Sequence, residues 1–165
     1  AGKSTLLKVI AKILSPTTGD ISYNDNKDYL TSSFVFQKPV FLNRSVRDNL
    51  LYAIKNSKKG LNYKQSLITK QLKELGLSYL YHSPAKNLSL GEQQLVAFMR
   101  SIIVEPLILF LDEPTSSLDE KNKTLVNNLL LKLSKNIKII MTSQSTDQIQ
   151  LLTNKPIIMQ NGMLI

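Results

Sequence analysis

Residues 87–119 read NLSLGEQQLVAFMRSIIVEPLILFLDEPTSSLD, and the fold turns on this stretch. A Ser-Leu-Gly-Glu turn at 89–92 opens a helix expected over Leu90–Val104, and Glu105-Pro106 bends the chain. The continuous apolar run Leu107–Leu111 then ends in two carboxylates, Asp112 and Glu113. Pro114 and a polar loop follow, closing at Asp119. A short apolar run bounded by turn signals fits a strand. A strand that delivers adjacent acids at its C-terminal end can hold a metal and activate a water beside a phosphate. Asp112 suits a Mg²⁺-associated role and Glu113 suits polarising the attacking water. The plainer alternative is an ordinary strand running into a polar loop.

A second stretch bears on that choice. The chain opens Gly2-Lys3-Ser4-Thr5 after Ala1, and apolar residues recur at Leu6, Leu7, Val9, Ile10, Ile13 and Leu14. This predicts a largely buried helix over residues 1–14, stopped by Ser15-Pro16-Thr17-Thr18-Gly19. The four residues match the last half of the phosphate-binding loop G-x-x-x-x-G-K-[ST]. The loop's amides and the helix N-terminus attract phosphate oxygens. Lys3 would bridge the β- and γ-phosphates and Ser4 would ligate Mg²⁺. Because the chain starts without Met, the first half of that loop and the strand feeding it are expected to be missing from this stretch.

The remaining elements alternate. Strands are expected at Gly19–Tyr23, Ser33–Gln37 and Ile137–Thr142, the last one buried, with a polar turn at Asn24–Asp28. Helices are expected at Val46–Ile54 behind a Ser45 cap, at Tyr63–Leu75 ended by Gly76, from Asp119 or Glu120 to about Ser134, and from Ser145 to about Leu152. Asn161-Gly162 signals a hairpin between Pro156–Met159 and Met163–Ile165. Alternating strands and helices give an α/β domain with a mainly parallel sheet. One domain over residues 1–165 is expected. A helix-rich stretch without a clear strand begins near residue 45, giving a helical subdomain over about 45–104.

Composition excludes several classes. With 42% apolar residues, 165 residues suffice for one core. Cysteine is absent, which removes disulfides and cysteine-ligated metals and is compatible with a cytosolic site. No apolar run approaches the length of a membrane span. The 21 Lys+Arg against 12 Asp+Glu give a net charge of +9. The lysines are dispersed with no basic block, so the charge fits a solvated surface, and no nucleic-acid partner is expected.

Taken together, five motifs stand in one order: AGKST, Gln37 in FVFQKPVFLNRSV, LSLGEQQ, LILFLDEP and SSLD. In this the chain resembles the nucleotide-binding domain of an ABC (ATP-binding cassette) ATPase over nearly its whole length. The resemblance implies a P-loop NTPase core with a small helical subdomain, and ATP and Mg²⁺ as cofactors. Gly2, Lys3, Ser4 and Thr5 would hold the nucleotide. Ser4, Gln37 and Asp112 would serve the metal. Glu113 and Gln37 would act on the attacking water, and Gln37 would also report to a transmembrane partner. Ser89 and Gly91 would grip the γ-phosphate held by a second cassette, in a homo- or heterodimer, with Asp119 lining the interface. A permease subunit would place a short helix beside Gln37. Phe41, Leu42 and Arg44 are candidates for that contact, although Phe41 and Leu42 could instead fill the lobe's own core. Such a chain would sit on the cytoplasmic face of a membrane through its permease.

Only about 85 residues separate Lys3 from Ser89, without heptads, which argues against the coiled-coil members of the superfamily. The segment FQKPVFLNRSVRDNL resembles importer cassettes, including those for oxyanions such as tungstate or phosphate. The chain also departs from the family pattern. Leu90 replaces the first Gly of L-S-G-G, where a Cβ could obstruct approach or a glycine-only backbone angle. Leu95 stands where the family usually has Arg. Ser143 stands where a switch histidine contacts the γ-phosphate, and would be a nucleotide-binding residue there that can donate one hydrogen bond but cannot act as imidazole does. The only histidine, His82, falls in the helical stretch and fits a structural or surface role. These departures keep open a degenerate cassette with little hydrolysis, and the net charge of +9 alone keeps open a soluble ABC-type ATPase acting on protein or nucleic acid.

Overall fold

The computed structural model describes residues 2–23 and 31–165. The expected turn at Asn24–Asp28 falls outside them. A three-stranded parallel sheet has the order β1 (Ser32–Val35), β2 (Ile108–Asp112), β3 (Lys138–Thr142). Val35 pairs with Leu111, and Asp112 pairs with Thr142. The strand in the middle is the one that carries the acids.

The unbroken apolar run of β2 follows from its position. Ile108 and Phe110 pack with Leu7 and Ala11 on the side of α1 (Lys3–Ile10). Leu109 and Leu111 join the larger cluster on the other side, with Val96, Phe98 and Met99 of α4 (Leu90–Ile102) and Val126 and Leu130 of α5 (Glu120–Leu133). All five β2 residues are buried. A strand covered on both faces needs apolar side chains at successive positions. The run starts one residue early: Leu107 is exposed and lies outside the strand.

Two helices, α2 (Val46–Ala53) and α3 (Leu61–Glu74), occupy the stretch between β1 and α4. Val46, Leu50, Ile68 and Leu72 are their buried apolar contacts. Ser45 caps α2 through the Asp48 amide, and Gly76, at φ 69°, lies past the end of α3 as a terminating glycine should. Asn49, 1% exposed, fixes the loop before α2. It accepts from Leu42 N–H at 2.9 Å and donates to the carbonyls of Leu42, Arg44 and Ser45. After β3 come α6 (Thr146–Leu152), capped by Ser145, and a hairpin of β4 (Met159–Gln160) and β5 (Met163–Leu164). Asn161 and Gly162, at φ 50° and 82°, give the turn its positive-φ pair.

Three expectations need correction. Helix α1 ends at Ile10, because the chain turns at Lys12 with φ 54°, and Ile13 and Leu14 are exposed. Gly19–Tyr23 forms no strand: Gly19 sits at φ 81°, and the segment's apolar content is used by Tyr23 packing beside Leu7 and Phe110. Strand β3 is only partly buried, with Lys138 exposed and Ile139–Met141 half-buried, because among the described residues it is a sheet edge.

Candidate functional site

Parallel sheets place ligands at the carboxyl ends of their strands. Here those ends gather Gln37 after β1, Asp112 and Glu113 at β2, and Ser143 after β3. Helix α1 adds Lys3 and Ser4 to the same end.

Asp112 is the fixed point. It is 2% exposed, and its Oδ1 accepts from Ser4 Oγ at 2.8 Å and from Thr142 Oγ1 at 2.8 Å. The Ser4 bond joins residues 108 positions apart, so the first turn of α1 is anchored to the tip of β2. Thr142 also accepts the Glu113 N–H, at its hydroxyl (3.2 Å) and at its carbonyl (3.3 Å). Glu113 itself has φ 50°, in the left-handed region that non-glycine residues avoid. Such strain, of order 1–3 kcal/mol, persists only where neighbours over-determine it and gathers at functional sites. Here the Thr142 bonds, Pro114 and the Ser116 N–H to Glu113 carbonyl bond hold it.

The rest of the site is uncommitted. Among the described residues no hydrogen bond or ion pair engages the side chains of Lys3, Gln37 or Glu113. No side chain caps α1, no acid lies in its first turn, and Gly2 precedes it at φ 98°, a conformation suited to glycine. Free amides, a lysine and a bound hydroxyl–carboxylate pair at one helix start suit a phosphate with its cation.

The donor set fits Mg²⁺. One hydroxyl and one carboxylate converge at Ser4 and Asp112, and no group of three His, Cys, Asp or Glu side chains surrounds a metal position among the described residues. Mg²⁺ is commonly held through one or two carboxylates, substrate phosphates and water, and needs no all-protein cage.

The signature turn is built differently. Ser89 caps α4 in a reciprocal capping box: its Oγ accepts from Glu92 N–H, and Glu92 Oε2 accepts from Ser89 N–H at 2.8 Å and from Ser89 Oγ at 2.8 Å. Tyr79 donates to the other Glu92 oxygen at 2.7 Å. The tyrosine hydroxyl, then the Ser89 hydroxyl and amide, hold the Glu92 carboxyl below its ordinary range. Leu90 is the first helical residue of α4 and 73% exposed. No glycine-only backbone angle is needed there, so that objection to Leu90 falls away, while its side chain remains in solvent before the helix start. Gly91 is confined instead: a Cβ there would lie 3.3 Å from the Ser117 carbonyl. Leu95 is 2% exposed and fills the core beneath α4. Asp119 caps α5 through the Asn122 N–H at 2.8 Å.

Ser143 donates its hydroxyl to Gln148 at 2.8 Å, a tie that no local pattern could signal. His82 stacks edge-on against Tyr81, away from the strand ends. Beside β1, a cavity of about 600 Å³ is lined by Phe34, Phe41, Leu42, Tyr52, Arg100 and Val104, among others. Arg100 fixes its wall by donating to the Val40 carbonyl at 2.8 Å and lying over the Phe41 ring. Of the three residues singled out for a permease contact, Phe41 packs against the core and also lines this cavity, Leu42 lines it, and Arg44 does not.

Residues 1–116 match the ABC transporter family. The tungstate uptake system ATP-binding protein TupC of Peptoclostridium acidaminophilum is 32% identical over 98% of this chain and 78% of its own length. The molybdate/tungstate import ATP-binding protein WtpC of Methanocaldococcus jannaschii is 35% identical over all of this chain, and this chain spans 58% of it. Against the methionine import protein MetN of Streptococcus pyogenes, at 29% identity, it spans about half, 52%. Among solved structures, cbiO1 of Clostridium perfringens, part of the transporter complex cbiONQ, superposes with a TM-score of 0.79 at 28% identity, covering 99% of this chain and 71% of that one. A parallel sheet with its acids at the ligand-facing end, a helix start open to phosphate and these likenesses agree: the chain belongs to the ABC transporter family, as an ATP-binding cassette.

Proposed function

We propose that this chain binds Mg-ATP and hydrolyses it as the ATP-binding subunit of an ABC importer, in a pair of cassettes docked on a permease. The observation that carries this is the junction of Ser4, Asp112 and Thr142, which brings the start of α1 to the acid-tipped strand and leaves Lys3 and Glu113 free beside it. Lys3 and the first-turn amides would bind the β- and γ-phosphates. Ser4, Asp112 and Gln37 would hold the cation, which supplies positive charge to the phosphate oxygens. Glu113, anchored by its backbone and free at its carboxylate, would orient the attacking water. Ser89 and Gly91 would meet the partner cassette's γ-phosphate, and Asp119 would line that interface.

The cavity beside β1 is the place for the permease: apolar, and adjacent to the Gln37 loop. A permease seated there would hold the chain on the cytoplasmic face of the membrane. No described helix is long and apolar enough to cross a membrane. Tungstate, molybdate and methionine importers are all among the relatives, and the cassette's own site carries no feature that chooses between such solutes.

The test is steady-state ATPase activity of the full-length protein with its permease, compared with Glu113→Gln. The expected loss is about 10²–10⁴-fold with nucleotide binding retained. Equal rates in both proteins would sink the hydrolytic reading. A second reading, a cassette that binds ATP and hydrolyses little, is favoured by one observation, the commitment of the Ser143 hydroxyl to Gln148. It predicts a wild-type rate near background that does not fall further in Glu113→Gln.

A further inference from the structure

Among the described residues, the only charged side chain lining the cavity beside β1 is Arg100 of α4. The rest of the lining is aliphatic, aromatic or neutral and polar. Val40, Leu42, Tyr52 and Val104 are exposed at this cavity although they are large and apolar. Apolar side chains exposed together at one concave site mark a surface that another molecule covers.

A guanidinium offers five N–H donors in a fixed fork. Arg100 gives one, at Nη1, to the Val40 carbonyl at 2.8 Å, and its flat face lies 4.9 Å from the centre of the Phe41 ring. These two contacts hold the fork in place. Among the described residues no other hydrogen bond and no ion pair engages it. Burial pushes the guanidinium's pKa below its ordinary value. The charge has therefore lost part of its water without gaining an anion, and a buried charge costs free energy until it is paired. The Val40 bond also ties α4 to the loop that follows Gln37, so what happens at Arg100 bears on that loop.

We propose that Arg100 pairs with a carboxylate of the permease segment that enters this cavity, an Asp or Glu set among apolar residues that cover Val40, Leu42, Tyr52 and Val104. This rests on the permease-docked reading above and adds the partner's chemistry to it. A preorganised fork matches a carboxylate with two parallel bonds. A basic segment, or a wholly apolar one, would bury the guanidinium without a counter-charge.

The test measures the affinity of the full-length protein for its permease in detergent, at low and high salt. The acids of the permease's cytoplasmic loops are changed one at a time, Asp to Asn and Glu to Gln. Arg100→Gln keeps an N–H for the Val40 carbonyl and removes the charge. It is expected to weaken binding about 10–100-fold, the scale of a hydrogen bond between charged groups, and to flatten the salt dependence. Arg100→Lys, a charge without the fork, is expected to fall between it and wild type. One permease acid is expected to cause a similar loss and to add little when combined with Arg100→Gln. If no permease acid couples in this way, the pairing is overturned even where Arg100→Gln binds weakly, because a disturbed loop would weaken binding without coupling. Wild-type affinity in Arg100→Gln alongside a loss in Tyr52→Ala overturns the pairing and leaves the docking reading standing. Wild-type affinity in both variants overturns docking at this cavity and this inference with it.

Discussion

The two ends of residues 87–119 sit in opposite physical regimes. Asp112 is buried and held by two hydroxyls from distant segments, residues 4 and 142. Ser89 is exposed and held by its own helix, through Glu92 three residues on. Long-range bonds make the carboxylate end part of the fold, so damage to it weakens the folded chain. The signature end is capped mainly within its own helix, with Tyr79 adding one bond from the segment before it. That difference suits the proposed roles. The carboxylate end must be rigid before nucleotide arrives, while the signature turn must first meet another chain. Substitutions at the two ends should therefore separate stability from association.

The largest effect is expected at Thr142. Thr142→Val keeps the β-branched shape and removes the hydroxyl that donates to Asp112 and accepts from Glu113 N–H. Losing one good hydrogen bond and leaving a buried carboxylate oxygen less satisfied costs about 1–3 kcal/mol. The denaturation midpoint should fall with an unchanged m-value, and Mg-ATP should bind more weakly because Asp112 and Glu113 lose their common anchor. A midpoint equal to wild type would show that the cluster is not part of what holds the fold.

Leu90→Gly probes the other end and should cost less. Leu90 contributes no buried contact, so the stability change is limited to helix propensity, under about 1 kcal/mol in a first turn. The larger consequence is expected in association: removing the side chain exposes the α4 amides, so ATP-dependent dimer formation, measured by sedimentation, should increase. A decrease would mean that the leucine supplies an apolar contact to the partner cassette and is not an obstacle.

How legible each end was follows from the range of its interactions. The capping box could be read from Ser89 and Glu92, three residues apart, and the burial of β2 from five apolar residues in succession. The hairpin was equally local, in Asn161-Gly162. The Ser143–Gln148–Asn127 chain depends on two helices packing together, so no local pattern signalled it. The length of α1 was misjudged for a similar reason. Ile13 and Leu14 continue the helical spacing, yet the turn at Lys12 carries them into solvent. Leu95 shows the converse, since its leucine-for-arginine departure is accounted for by the core beneath α4.

The smallest expected effect concerns acid. Glu92 has its carboxyl held below the ordinary value of 4.5, with the Tyr79 hydroxyl the largest cause and the Ser89 hydroxyl and amide next. A depressed carboxyl contributes stability that is fully present above the unfolded value and is lost as pH falls through the folded one. The contribution is small because the group is in solvent. Wild type should therefore lose slightly more stability on acidification below 4.5 than Tyr79→Phe, which lacks the leading cause. Parallel chemical-denaturation curves on the two proteins check this. Equal acid dependence would mean that the Ser89 bonds alone set the carboxylate, leaving the Tyr79 bond without effect on it. Unequal dependence would show that Tyr79 ties the residue proposed to meet the partner's phosphate to the segment before it.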